Sequence, residues 1–384
     1  MRILINLATL TNSGVIPIWL RKFQELSKHS HQIDIFFNNQ ANQINFNKID
    51  LYRYNESAKI KKLPKIESKI KFIFYSLKKN IQAILAISKY KNKYDIVYSP
   101  SSVLDLAIMP FFLKKYNQKI VWTTVFDNIV PITDPGNKII RFISWIFFQI
   151  SLVLIRQADL IFTISPELKK YLINQGFDKN KIIITGNGIE IDLIKKAKKN
   201  RKYNFDALFI GRINETKGIF DMLQVLNQVK KEYPNFTLAI MGEGDNSTKN
   251  KFIQKIKKMN LQKNVKFLGY ITSGIKKFNI IKSSRSFWFL STSPSESFGI
   301  ALMEAVSCGI PAFTYKLPTF TKIYKNNEVF FSPLHKPNIV AHKVTKLFRS
   351  KNFINQNGKK LLGKYSWKNI VKIENSSIQK LFIS

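Results

Sequence analysis

Cysteine, histidine and acidic side chains are scarce: of 384 residues one is Cys, four are His and 24 are Asp or Glu. The lone thiol, Cys308, cannot form an internal disulfide and fits a reducing compartment. The histidines (His29, His31, His335 and His342) form no metal-type cluster with cysteine, and none falls in a catalytic setting. There is no Walker loop and no Gly-x-Ser-x-Gly elbow. Helix-turn-helix, RNP and zinc patterns are also missing, which argues against sequence-specific nucleic-acid recognition. No apolar run reaches the ~20 residues that span a bilayer. Met1-Arg2-Ile3-Leu4-Ile5-Asn6 runs straight into a strand-like pattern, with no long apolar core and small-residue cleavage site, so no secretory signal is expected. Internal repeats and low-complexity tracts are absent. The expected location is the cytoplasm.

What is present is apolar and basic. A hydrophobic fraction of 45% is ample for packed cores and excludes global disorder. The length suits two α/β domains. The net charge of +38 attracts polyanions: nucleic acid, anionic lipid or phosphorylated substrates. The joint richness in Lys, Asn and Ile is equally what AT-rich coding produces, so the charge alone assigns no partner.

Short apolar runs alternate with longer helical patterns. Strand candidates in the first half are Ile3–Leu7, Ile33–Phe37, Ile96–Tyr98, Ile120–Thr123, Leu160–Thr163 and Ile182–Thr185. In the second half they are Ala207–Ile210, Thr237–Met241, Val265–Leu268, Phe287–Leu290 and Pro311–Tyr315. Unbroken apolar strands separated by helices indicate parallel sheets covered on both faces. The fold class is therefore α/β, two Rossmann-like doubly wound domains facing a central cleft. Domain bounds are expected at 1–190 and 204–365, with a linker at 191–203 and a terminal helix, 366–384, crossing back to the first domain. Ligands of such sheets sit beyond the carboxyl ends of the strands.

Two stretches bear on membranes. Lys59–Lys93 mixes Ile, Leu and Phe with Lys at helical intervals, with Pro64 marking a start or a break. Such a helix can lie on an anionic bilayer or pack on its own sheet with a solvated lysine face. Phe142–Ile155 is almost wholly apolar and bracketed by Arg141 and Arg156, which reads as a buried or an interfacial helix.

Two segments carry candidate chemistry. Pro294-Ser295-Glu296-Ser297-Phe298-Gly299-Ile300-Ala301-Leu302-Met303-Glu304-Ala305 follows a strand and opens a helix near Gly299. Free amides at a helix start favour a diphosphate, and glycine lets the backbone come close. Glu296 can accept from sugar hydroxyls and Glu304 from a second diol such as ribose. Equally, Glu296 could cap the helix and Glu304 sit in a surface ion pair. In the second segment, strand Leu208-Phe209-Ile210 ends at Gly211, and Arg212 and Lys217 follow on the loop. A guanidinium fork and an ammonium there can neutralise charge building on a departing diphosphate, although two solvated cations would look the same. Gly242-Glu243-Gly244 after the next strand, and Gly14 after the first, are turns that a nucleotide could pass.

In this order, Gly211-Arg212 with Lys217-Gly218, Gly242-Glu243-Gly244, Glu296-Ser297-Phe298-Gly299 through Glu304-Ala305, and Gly309-Ile310-Pro311 resemble the donor-domain landmarks of the family 4 glycosyltransferases, retaining enzymes of GT-B architecture. Ala158-Asp159-Leu160-Ile161 leading to Ser165, Gly186-Asn187-Gly188-Ile189, and Tyr365-Ser366-Trp367 are similar to its linker approach and its returning helix. The resemblance covers about residues 95–315 and the tail.

It implies a metal-independent hexosyl transfer without cofactor, from a nucleotide-diphosphate sugar to a glycan or lipid-linked acceptor, in polysaccharide biosynthesis at a peripheral anionic membrane surface. Arg212 and Lys217 would hold the diphosphate, Glu304 the ribose and Glu296 the transferred sugar. The amides of Phe298, Gly299 and Ile300 would lie nearby, with Gly211, Gly242 and Glu243 along the donor, Gly14 at the acceptor-side loop and Asp127 on the acceptor side. Three departures from the pattern stand out. Phe126 takes the place of a frequent His before Asp127; the loop Thr9–Pro17 has one glycine where two are common; and Lys316-Leu317-Pro318-Thr319-Phe320-Thr321 replaces a Gly-rich stretch. Two other classes compete: a non-catalytic basic protein binding membrane or nucleic acid, and a nucleotide-sugar epimerase on the same fold.

Overall fold

The computed structural model describes residues 1–7, 16–29, 31–37, 40–43, 69–132, 138–271 and 274–383. The chain divides into two units, Met1–Gly188 with Trp367–Ser384, and Ile189–Ser366.

The first unit is built on a seven-stranded sheet of order β3-β2-β1-β4-β5-β6-β7. Its strands are β1 (Arg2–Asn6), β2 (Gln32–Phe37), β3 (Gln40–Gln43), β4 (Ile96–Ser99), β5 (Val121–Phe126), β6 (Leu160–Thr163) and β7 (Ile182–Ile184). All neighbours pair in parallel except β2 with β3. The polar sequence of β3, Gln-Ala-Asn-Gln, gives it no apolar signature; it follows β2 as an antiparallel edge strand. β4 and β5 are buried at every residue, as strands covered on both faces must be. Helices α1 (Ile16–Ser27), α2 (Lys69–Leu85), α3 (Leu104–Tyr116) and α4 (Lys138–Ile155) accompany this sheet.

The second unit has a six-stranded parallel sheet, β10-β9-β8-β11-β12-β13. The strands are β8 (Ala207–Ile210), β9 (Leu238–Met241), β10 (Val265–Gly269), β11 (Phe287–Phe289), β12 (Ala312–Tyr315) and β13 (Phe330–Ser332). The last is three residues long, too short to show a pattern. Helices α5 (Ile219–Val229), α6 (Ile275–Ser283) and α7 (Ile300–Ser307) flank it. Phe209, Ile240, Trp288 and Phe313 anchor its core, with Trp288 stacked on Phe236.

Residues 191–203, expected as a linker, are structured and belong to the second unit. A short helix, Ile191–Lys196, lies against α6, with Ile194 and Ala197 buried. Lys198 and Asn200 donate their amides to Asn279 Oδ1 and Ser283 Oγ of α6. The lysine run and the residue before it hide two buried apolar side chains, Ala197 and Ile194.

The last helix, α8 (Trp367–Lys380), returns to the first unit. Lys22 Nζ of α1 lies 2.7 Å from Glu374 Oε1, and Tyr98 OH donates to Glu374 Oε2 at 2.7 Å. All three groups are buried, so each charge has its partner where water is excluded. Next to this contact, Gly188 lies under the indole of Trp367: a Cβ there would fall 2.2 Å from the ring.

Candidate active site in the second unit

In the second sheet the strand order reverses between β8 and β11, and a doubly wound sheet opens a crevice where its order reverses. The loops leaving those two strands are the two segments singled out in the sequence.

The loop after β8 is a turn with its own cap. Asn214 Oδ1 accepts from the Thr216 amide at 2.9 Å and closes a 3-10 turn, Glu215–Lys217. Gly218 then opens α5 with φ 72°, and a Cβ on it would lie 1.8 Å from the Leu290 carbonyl oxygen. Only glycine meets both demands. The Thr292 amide donates to the Thr216 carbonyl at 2.9 Å, and Ser291 Oγ lies 3.1 Å from the same carbonyl. The two loops are thereby stitched together beyond the ends of their strands.

That stitching brings Lys217 Nζ to 2.6 Å from Glu296 Oε2, and Ser291 Oγ donates to the same oxygen at 2.9 Å. Lys217 also lies over the Phe289 ring, 5.5 Å from its centroid. Glu296 therefore does not cap α7; it is held by a cation from the other loop. Arg212 is exposed, with no hydrogen bond or ion pair among the described residues. Its neighbour Gly211 donates to the Met241 carbonyl at 3.1 Å, and Gly242 to that of Gly269 at 2.9 Å. Glu243 is exposed and pairs with Lys249 at 3.0 Å.

Gly299, φ 71°, is the N-cap of α7, and Phe298 before it is buried edge-on against Tyr365. Ile300 is the first helical residue, so the amides that open α7 have no partner within the helix. One turn on, Glu304 is buried, not a surface residue. Its carboxylate lies 2.5 Å from Lys277 Nζ of α6. Nothing local in the sequence marks Lys277, one lysine among many; only its distance to a buried carboxylate distinguishes it. Burial pushes the nearby Cys308 thiol up to about 12, helped by the charge of Glu304, so that thiol is unreactive at neutral pH. A hollow of about 640 Å³ in this unit, lined by Pro311, Phe330 and Lys343, lies at the amino ends of β12 and β13, away from these groups.

In the first unit, Asp127 follows β5 and accepts from Ser101 Oγ at 2.8 Å. Desolvation pushes its carboxyl up to about 6, against the Ser101 bond, its own backbone amide and the Lys22 charge, which pull it down. Phe126, in the place of the expected histidine, is fully buried and stacks on Tyr171 at 5.9 Å, so that position serves the core. Gly14 and Pro64 lie outside the described residues. Among the described residues no three His, Cys, Asp or Glu side chains form a group that could hold a metal ion.

Two doubly wound sheets, parallel but for the edge strand β3, with anion-suited loops at the reversal point of the second, define a GT-B fold. Residues 190–361 match the family model described as Glycosyl transferases group 1, and residues 20–193 match that of Glycosyltransferase Family 4. The chain belongs to this glycosyltransferase family.

It is 30% identical over 259 residues to an uncharacterized glycosyltransferase of Methanocaldococcus jannaschii, covering 63% of this chain and 60% of that one. The O-antigen biosynthesis glycosyltransferase WclY of Escherichia coli is 26% identical over 188 residues, 47% of each chain. This chain thus spans between about half and two thirds of these relatives' lengths. Among solved structures, Anabaena HepE in complex with UDP-glucose has a TM-score of 0.73 at 15% identity, covering 99% of this chain and 100% of that one. Sucrose-phosphate synthase from Thermosynechococcus elongatus has a TM-score of 0.72 at 15% identity, covering 100% and 99%. At these identities the likeness to solved structures concerns the fold.

Proposed function

We propose that the protein is a retaining hexosyltransferase that moves a sugar from a nucleotide-diphosphate donor to a glycan or lipid-linked acceptor. Its setting is surface polysaccharide biosynthesis at the cytoplasmic face of a membrane. The observation that carries this reading is the meeting of Lys217 and Glu296 beyond the ends of β8 and β11, on a loop that also carries exposed Arg212. The name of WclY supports a polysaccharide role, and UDP-glucose in HepE supports a uridine diphosphate sugar as the first donor to test.

Each group has a task. Arg212 and Lys217 grip the diphosphate, one as a planar fork and the other as a point charge. The opening amides of α7 add partial positive charge. Glu304, set by Lys277, accepts from the ribose hydroxyls, and Glu296, set by Lys217 and Ser291, accepts from the sugar. The bond from the anomeric carbon to the phosphate oxygen breaks as that from the acceptor oxygen forms on the same face. The acceptor proton passes to the leaving phosphate oxygen. Negative charge on the diphosphate peaks in this step, so the fixed cations lower the barrier without a metal.

The test is a thermal-shift panel of nucleoside diphosphates and their sugars, followed by product analysis with chelator present. Ligand at 100 times its dissociation constant stabilises by about 2.7 kcal/mol. Absence of any shift together with absence of product across the panel would refute the reading.

A further inference from the structure

We propose that the hollow at the amino ends of β12 and β13 is a second binding site, separate from the donor loops, and that its ligand is a saccharide. Its volume of about 640 Å³ lies within the roughly 300–1,000 Å³ of small-molecule sites. β13 is the edge strand of its sheet, so the sheet ends at this hollow. Lys217 and Glu296 stand beyond the opposite ends of the strands, so a ligand here leaves the donor loops free.

The frame of the hollow is fixed by its own hydrogen bonds. Asn355 Nδ2 donates to the Glu328 carbonyl at 2.7 Å, while Asn355 Oδ1 accepts from the Gly358 amide at 2.8 Å. Glu328 is buried, and its Oε2 accepts from the Lys325 amide at 2.8 Å. Lys343, on the helix Pro337–Ser350, donates to the Phe331 carbonyl. Three stretches of chain are thereby held in place before any ligand arrives. Phe330 stacks on Phe313, with ring centroids 4.8 Å apart, and is still 40% exposed at the hollow.

The groups left over decide the ligand. The side-chain amides of Asn326, Asn327, Gln356 and Asn357 line the hollow and bond to no other described residue, and Lys346 beside them is exposed and without an acid partner among those residues. Each amide both donates and accepts, as each sugar hydroxyl does. The negative face of an exposed aromatic ring suits the C–H face of a pyranose. An apolar ligand would strip the amides of water and give nothing back. A phosphate is also a poor match: no arginine lines the hollow, and the helix Pro337–Ser350 turns its C-terminal end, with negative partial charge, toward it. Hydroxyl-rich, uncharged sugar rings satisfy every group. Binding here does not rest on the donor-site reading; its use, keeping a glycan with the enzyme between transfers, does.

The experiment is saturation-transfer NMR of maltotriose, mannotriose and cellotriose with the full chain, with and without UDP. At least one trisaccharide is expected to bind, and UDP should not displace it. Asn327→Ala with Gln356→Ala, and separately Phe330→Val, should weaken that binding about fivefold or more, whereas Lys217→Ala should leave it unmoved. The double variant removes exposed amides that hold no other part of the chain, so its melting temperature and its stabilisation by UDP should match the parent's. The proposal is overturned if no trisaccharide binds, if the double variant binds like the parent, or if UDP displaces the sugar, which would put it at the donor loops. Should UDP fail to stabilise the parent, the donor-site reading falls and the effect of the double variant on trisaccharide binding still decides this one.

Discussion

Lys217 and Glu296 are 79 positions apart in the chain and meet at 2.6 Å, each offered by the loop that leaves one of the two strands flanking the sheet's reversal point. The pair is only partly exposed, 20% and 11% by side chain, so neither charge is fully solvated. Lys217→Ala and Glu296→Gln should each lower turnover by about a hundredfold or more. Glu296→Gln should leave the fold intact, because the amide oxygen still accepts from Ser291. Steady-state sugar transfer beside a melting curve checks both; full turnover in either variant removes that residue from the chemistry.

Glu304 and Lys277 predict a different signature. Losing the ammonium in Lys277→Met strands a buried carboxylate, at a cost of roughly 3–5 kcal/mol. Lys277→Met with Glu304→Gln should regain much of that stability yet still bind nucleoside diphosphate weakly. Urea unfolding and a UDP titration separate the two effects.

Asp127 makes a pH prediction. Its folded-state carboxyl titrates at about 6 instead of the ordinary 3.8, so the folded protein holds a proton that the unfolded chain has released. Stability from this group is fully present at acid pH and is lost as pH rises between those values. Asp127→Asn should therefore stabilise the protein at pH 7.5 by about 1–3 kcal/mol, with the gain shrinking toward pH 4. Melting temperatures across that range decide; a variant less stable than the parent at pH 7.5 contradicts the assignment.

Gly188 is fixed by contact with the Trp367 ring. Gly188→Ala should destabilise by roughly 1–3 kcal/mol through overpacking, read as a melting point lower by about 2–10 °C. Gly188→Ala with Trp367→Leu should recover part of the loss.

The strands were legible wherever they ran apolar and unbroken, as in Val121–Phe126 and Ala207–Ile210, because burial on both faces leaves that imprint. β3 and β13 escaped, one polar and one three residues long. Arg212, Lys217, Glu296 and Glu304 stand out as candidates because glycines and strand ends punctuate their segments. Their pairing could not: the chain has 62 Lys and Arg, and nothing local says that Lys217 meets Glu296 or that Lys277 reaches Glu304. Lys195-Lys196-Ala197-Lys198-Lys199 misled in the same way, since charge on the outer face concealed Ile194 and Ala197.

The return of α8 makes the first unit discontinuous in sequence. Lys22 and its counter-ion, Glu374, are 352 positions apart, with the whole of residues 189–366 between them. Until both stretches are in place the Lys22 ammonium lacks its buried counter-ion, whereas residues 189–366 form a contiguous stretch. Loss of α8 would therefore do its damage far away in sequence, around Lys22 and Tyr98.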